Sequence, residues 1–181
     1  LEDIYWIENT GQKLNYKYEE GWGGDFGVET NFCDNYLTFN TTFFKQEINN
    51  SISWIDWQNP KQVQKSVSQG VEMSLNIKQQ NFHHQINYTY TEAEVKESET
   101  SEYKRQSYTP YNKLVYILDS NITKNLSGLV KINSVSERID GTNTLKGYTT
   151  TDVLLDYKIN HPDISIYFGV DNLFKEKYQV T

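Results

Sequence analysis

A single cysteine, Cys33, leaves no partner for an internal disulfide and rules out a cysteine-rich metal site. No run of 18 apolar residues is present, so no membrane-spanning helix is encoded. Basic residues are too few for a nucleic-acid stripe: 17 Lys and Arg face 24 Asp and Glu, for a net charge of -7. One methionine and few alanines argue against a helical bundle. Only 36% of the 181 residues are hydrophobic and mean hydropathy is -0.73, which is little for a conventional core. Much of the apolar surface comes instead from 14 Tyr, 8 Phe and 4 Trp, which with Thr, Val and Ile favour strands. The class is all-β.

Alternation of apolar and polar residues, the two-residue period of a strand with unlike faces, recurs along the chain. Eight segments read as strands. The first spans about Tyr16–Phe26, with Tyr16, Tyr18 and Trp22 on one face, and the second Tyr36–Ser51, with Leu37, Phe39 and Phe43. The third sets Val71, Met73, Leu75 and Ile77 against Glu72, Ser74, Asn76 and Lys78. A four-residue recurrence from Val63 also fits a helix stripe there; the clean alternation favours strand from Val71, with loop before it. The fourth carries Phe82, His84, Ile86, Tyr88 and Tyr90 on one face. The fifth, Lys113–Asp119, is apolar on both faces, and the sixth spans about Leu126–Glu137. The seventh sets Val153, Leu155, Tyr157 and Ile159 against Asp152, Asp156 and Lys158. The eighth has Ile164, Ile166, Phe168 and Val170 on one face, then Asp171 and a charged run.

Short links near 29–35, 79–81, 121–125 and 160–163 alternate with long ones near 52–66, 95–112 and 138–147. Short turns on one rim, long loops on the other and strands longer than soluble sheets use describe an antiparallel transmembrane β-barrel. Such strands show their lipid face only at alternate positions, so low mean hydropathy does not exclude a membrane. Glu72, Asp152, Asp156 and Asp171 are then expected to face the lumen, and Tyr and Trp near strand ends the headgroups. The alternative is a soluble β-sandwich, such as a carbohydrate-binding module using exposed Trp and Tyr.

Catalytic and metal motifs are absent. His83 and His84 are adjacent in a strand and so point to opposite faces. His161, before Pro162 in a short turn, reads as solvated. Asp152 and Asp156 share a face but lie about 13 Å apart at strand rise, beyond the roughly 5–9.5 Å of a glycosidase pair. No nucleophile elbow, phosphate loop or zinc motif occurs. No enzyme activity, metal or cofactor is expected.

"GVDNLFKEKY" (169–178) resembles the penultimate-strand signature of TonB-dependent outer-membrane receptors, and "GYTTTDVLLDY" (147–157) the strand before it. "SQGVEMSL" (68–75), "INYTYTEAEV" (86–95), "LEDIYW" (1–6) and "LNYKYEEGW" (14–22) resemble earlier parts of the same barrel in the same order. The acidic motif usual before the first of these strands is degraded to "KLNYKYEE". The resemblance, nearest to vitamin B12-type receptors, implies a bacterial outer-membrane barrel of 22 strands around an N-terminal plug. Such proteins take up scarce nutrients such as ferric siderophores or cobalamin, energised through TonB. It further implies that residues 1–181 are the C-terminal portion of that barrel, with the plug, the TonB-binding box and the last strand outside this sequence. The partners implied are outer-membrane lipid, the plug of the same full-length chain, TonB and a metal-chelate or vitamin ligand. The loop near Leu1–Lys13 and the three long links would be extracellular, placing Trp54, Trp57, Tyr103, Arg105 and Arg138 as candidate ligand-binding residues. Aromatic and arginine side chains suit a large amphipathic or anionic chelate.

Overall fold

A computed structural model describes residues 17–34, 36–56, 59–160 and 163–179, with side-chain detail excluding 53–61 and 160. The expected loop near Leu1–Lys13, Tyr16, Trp57 and the His161–Pro162 turn lie outside the described residues. The strands are β1 (Glu20–Phe32), β2 (Leu37–Asn49), β3 (Ile52–Asp56), β4 (Asn59–Gln62), β5 (Lys65–Lys78), β6 (Phe82–Lys96), β7 (Tyr103–Arg105), β8 (Asn112–Asn121), β9 (Leu126–Val135), β10 (Arg138–Asp140), β11 (Asn143–Leu145), β12 (Tyr148–Asn160) and β13 (Asp163–Val170). Eight of them form one antiparallel sheet in the order β1-β2-β5-β6-β8-β9-β12-β13, each pairing its neighbour in sequence along that path. β7 pairs antiparallel with the end of β6, while β3-β4 and β10-β11 are separate hairpins.

The register sorts every strand into the same two faces. Phe26, Phe43, Val71 and Tyr90 are cross-strand partners; two rows on, Thr30, Phe39, Leu75, Ile86, Tyr116, Ile132 and Thr151 form another line. Beyond it Phe32, Leu37, Ile77, His84, Leu118, Val130, Val153 and Val170 align in turn. The opposite face carries Asp25, Thr42, Glu72, Thr89, Lys131, Asp152 and their row-mates. Among the described residues no second layer covers the apolar face. Among the described residues only Val63, Ala93 and Val135 are buried hydrophobics, while Phe26, Phe43, Ile166 and Phe168 are each more than half exposed. This overturns the soluble-sandwich alternative, whose core lies between two facing sheets.

The apolar band does not run straight across the sheet. On β2 it spans Leu37 to Phe43, bounded above by Lys45; on β13 it spans Ile164 to Val170. Yet Val170 lies in the row of Leu37, so the upper edge of the band on β13 is level in register with its lower edge on β2. A drift of about six residues over the six strand spacings from β2 to β13 corresponds to strands tilted roughly 30–40° from the band's normal. That approaches the tilt of membrane barrels.

Three boundaries differ from expectation. β5 begins at Lys65, not Val71, because residues 65–70 pair with β2 on one side and β6 on the other. The four-residue recurrence of Val63, Val67 and Val71 was every second member of a two-residue alternation. β1 runs on to Phe32, because residues 27–32 pair in register with 42–37 of β2, and Gly21, Gly23 and Gly27 share its polar face with Asp25, Glu29 and Asn31. β6 extends to Lys96, and the long links carry short strands of their own.

The short turns all sit at one end. Cys33 and Asp34 both have positive φ, with the Tyr36 N–H bonded to the Cys33 carbonyl at 3.0 Å. Gln79 and Phe82 exchange backbone bonds, and Thr123 Oγ1 accepts from the Asn125 and Leu126 N–H groups.

Candidate functional site

Two regions carry the polar chemistry: the polar face of the sheet and the rim at its long-loop end. On the polar face, Glu72 sits between Thr42 and Thr89 in register, in a depression of about 230 Å³ that Asn40, Ser74 and Asn87 also line. Asp152 stands opposite Lys131, with Nζ to Oδ2 3.9 Å, and its Oδ1 accepts the Asn172 N–H at 2.9 Å. Asp156 is flanked by Ser127 and Tyr167, and Asp171 follows directly after β13. Glu72, Asp152 and Asp156 thus share one face of the sheet but not one site, and Asp171 lies beyond the end of β13. Near the short-turn end, Lys78, His83 and Asp119 form a further row. His84 falls on the other face, its Nδ1 2.9 Å from the Tyr116 hydroxyl. Among the described residues no group of His, Cys, Asp and Glu is arranged to hold a metal ion.

At the rim, three segments are fastened together. Tyr108, in the β7–β8 link, donates its N–H to the Ile139 carbonyl (2.8 Å) and its hydroxyl to Asp140 Oδ1. That bond to the carboxylate, then burial, then the nearby negative charge raise the Tyr108 pKa. The Gly141 N–H reaches Ser107 Oγ at 3.3 Å. Arg105 Nη2 donates to the Thr109 and Glu137 carbonyls at 3.1 and 2.9 Å, with its guanidinium 3.8 Å from the Tyr111 ring centroid. Arg138 joins the third segment: it is 4% exposed, donates to the Gln179 carbonyl at 2.6 Å and lies over Tyr148 at 5.3 Å. Tyr148 in turn stacks on Tyr178.

The segment after β13 owes its shape to Asn172. Its φ is 50°, a left-handed conformation that Asn tolerates, and its side chain both accepts from the Glu176 N–H and donates to the Glu176 carbonyl. The break in alternation after Val170 is therefore a side-chain-capped turn, with Leu173 still bonded to the Thr151 carbonyl.

Among the described residues, Tyr103, Arg105 and Arg138 do not converge on one open ligand site. Trp54 is in the β3–β4 hairpin, and Trp57 is outside the described residues. Tyr103 and Arg105 pair with Lys96 and Glu94, on the side of the sheet that continues the apolar band. Arg105 and Arg138 are spent on carbonyls and aromatic rings within the rim. Sequence reasoning missed Tyr108, Asp140, Tyr148 and Tyr178. Only the Asp171-Asn172 dipeptide, a turn signal, hinted at this part of the rim.

The sequence matches the model of the "TonB dependent receptor-like, beta-barrel" family over residues 3–173. The chain belongs to that family. No curated protein matches. Among solved structures, the ferric-yersiniabactin uptake receptor FyuA of Yersinia pestis shares 21% identity at a TM-score of 0.72, over 90% of this chain and 26% of its own. The ferric-catecholate import receptor Fiu of E. coli K12, closed form, shares 20% at 0.70, over 91% and 24%. The FrpB iron transporter of Neisseria meningitidis shares 13% at 0.70, over 91% and 27%. The chain spans about a quarter of the length of these structures, and at such identities they establish the fold. Membership in this family places the chain in the bacterial outer membrane.

Proposed function

We propose that this chain is wall and rim of an outer-membrane receptor that captures a scarce nutrient and passes it inward. In this reading the eight strands belong to a barrel of 22, the polar face lines a lumen filled by a plug domain of the same full-length chain, and uptake is energised through TonB. The observation that carries the reading is the continuous, uncovered apolar band across eight strands, backed by a polar face of hydroxyls, amides and carboxylates. The ligand proposed is a ferric chelate of the siderophore class. Three similar solved structures are described as a ferric-catecholate import receptor, a ferric-yersiniabactin uptake receptor and an iron transporter, which favours iron chelates over cobalamin. Lumen-facing roles go to Glu72, Asp152, Asp156 and Asp171. Trp54 and Trp57 are the proposed contacts to the ligand, whereas Arg105 and Arg138 hold the rim's shape.

The test is growth and radiolabelled-iron uptake in a host strain lacking the receptor, supplied in turn with ferric catecholate, ferric hydroxamate and cobalamin. Restoration of growth by the receptor gene with one ferric chelate, dependent on TonB, is the expected result. Rescue by cobalamin alone would overturn the choice of ligand, and no TonB dependence with any substrate would overturn the transport reading.

A further inference from the structure

The β3–β4 hairpin stands off the main sheet, and a lone two-stranded hairpin is marginal in water. It needs footing from outside itself, and the entry to β1 supplies it through side chains. Backbone pairing between β1 and β2 ends at Glu20 opposite Asn49; the next residue, Asn50, has a φ of 55° and turns the chain away toward the hairpin. Residues 17–19 run on past that last pair. Gln62, opposite Ile52 at the base of the hairpin, reaches across with its carboxamide. Its Oε1 accepts the Lys17 N–H at 3.0 Å, and its Nε2 donates to the Lys17 carbonyl at 2.7 Å. The same nitrogen donates to the Asn50 carbonyl at 2.8 Å, so both amide protons are used. Asn50 Nδ2 donates to the Tyr18 carbonyl at 3.1 Å, and Glu19 Oε1 accepts the Ile52 N–H at 2.6 Å. Beside Gln62, Val63 is buried, with its N–H on the Ser51 carbonyl.

We infer that Gln62 and Glu19 are positioning residues for ligand capture: they clasp the hairpin that carries Trp54 to the long-loop end of β1, without touching the ligand themselves. Gln62 gives Lys17 the two-point exchange of N–H and C=O that a paired strand residue gives. One side chain thereby continues the wall where the backbone of β2 has left it. The task needs an amide. A carboxylate at position 62 would lose both donors and face two carbonyl oxygens, whereas Glu19 acts only as an acceptor, a role that glutamine can fill. Apparent affinity falls with the fraction of time that a binding surface spends in its competent arrangement, so a loosened base weakens capture by the hairpin. The inference rests on the proposed reading that this hairpin contacts the nutrient.

The experiment uses the full receptor chain in detergent micelles, in a Cys33→Ser background with nitroxides at positions 24 and 58. Gly24 suits a label because a β-carbon there meets nothing within 4 Å. Double electron–electron resonance reads the spread of distances between β1 and the hairpin. The parent is expected to give a narrow spread, Q62E and E19A broad ones, and E19Q a narrow one. A spread unchanged in Q62E or E19A, or broadened as much in E19Q, would overturn the clasp. Unlabelled chains are then titrated with a ferric catecholate, a ferric hydroxamate and cobalamin. Q62E is expected to weaken whichever of these the parent binds by about three- to tenfold, with E19Q close to the parent. A broadened spread with unchanged affinity would overturn the positioning role. If the parent binds none of the three, the capture reading and the positioning role fail together, while the distance spreads still decide the clasp.

Discussion

The rings of Tyr148 and Tyr178 stack with centroids 4.1 Å apart and planes 13° from parallel, joining the start of β12 to the segment that leaves β13. Arg138 lies over the same Tyr148 and donates to the Gln179 carbonyl, so two contacts hold that segment against the rim. Tyr178→Ala is expected to release residues 171–179 while leaving the main sheet intact. An aromatic pair is worth about 0.5–1.5 kcal/mol beyond its area, so amide exchange there should quicken roughly two- to tenfold. Unchanged exchange would mean that Asn172 and Arg138 hold the segment without the stack.

The Tyr108–Asp140 latch has a defined pH response. Its hydroxyl donates to a carboxylate, so the neutral phenol is the favoured form in the folded state and its pKa is raised. The stabilisation is fully present below the ordinary tyrosine value of about 10 and is lost as pH rises through the higher folded value. The latch therefore stays closed throughout the physiological range. Asp140→Asn should return one tyrosine to the ordinary range in a titration followed at the phenolate absorbance; an unchanged titration would contradict the bond.

Faces are tested by charge. Leu155 pairs with Phe168 on the apolar side, and Asp156 neighbours it on the polar side. Arginine at Leu155 is expected to cost about 2–4 kcal/mol if the site lies near mid-bilayer, read as a lowered denaturant midpoint for refolding into lipid vesicles. Asp156→Asn should leave the midpoint nearly unchanged. Equal losses at both positions would defeat the assignment of faces.

Gly70 is the tightest glycine in the sheet. A β-carbon there would meet the Tyr90 carbonyl oxygen at 2.0 Å and the Phe44 ring at 2.8 Å. Gly70→Ala should therefore separate β5 from β6 and lower the yield of heat-modifiable, folded protein on gels. Truncating the ring as well, in Gly70→Ala with Phe44→Ala, should not rescue it, because the backbone clash remains. Full rescue would show that only the ring was in the way.

Alternation made the eight principal strands legible, and with them the two faces, because one face must satisfy lipid and the other water. Where other signals competed with that rule, strand ends were hidden. Asn31, Asp34 and Asn35 read as turn residues and cut β1 short at Phe26, although Val28, Thr30 and Phe32 go on alternating with Glu29 and Asn31, and Val67 repeating at Val71 imitated a helical stripe. The acids of the polar face were readable for the same periodic reason. The rim was not. Tyr108 meeting Asp140, or Arg138 meeting Gln179, depends on loops from different parts of the chain folding onto one another, and no local spacing encodes such meetings. Arg105 and Arg138 looked like free cations because sequence shows a guanidinium but not the carbonyls that occupy it.

The slant of the apolar band means that a cross-strand row is not a line of constant depth. Following hydrogen-bonded partners from Leu37 through Ile77, His84 and Val130 to Val170 climbs from the short-turn edge of the band to its long-loop edge. Residues at matching depth instead lie along a diagonal contour, near Thr41 on β2 and Leu155 on β12. Substitution costs should therefore sort by that contour rather than by pairing, much as altitude on a spiral stair depends on the turn and not on the tread beside it.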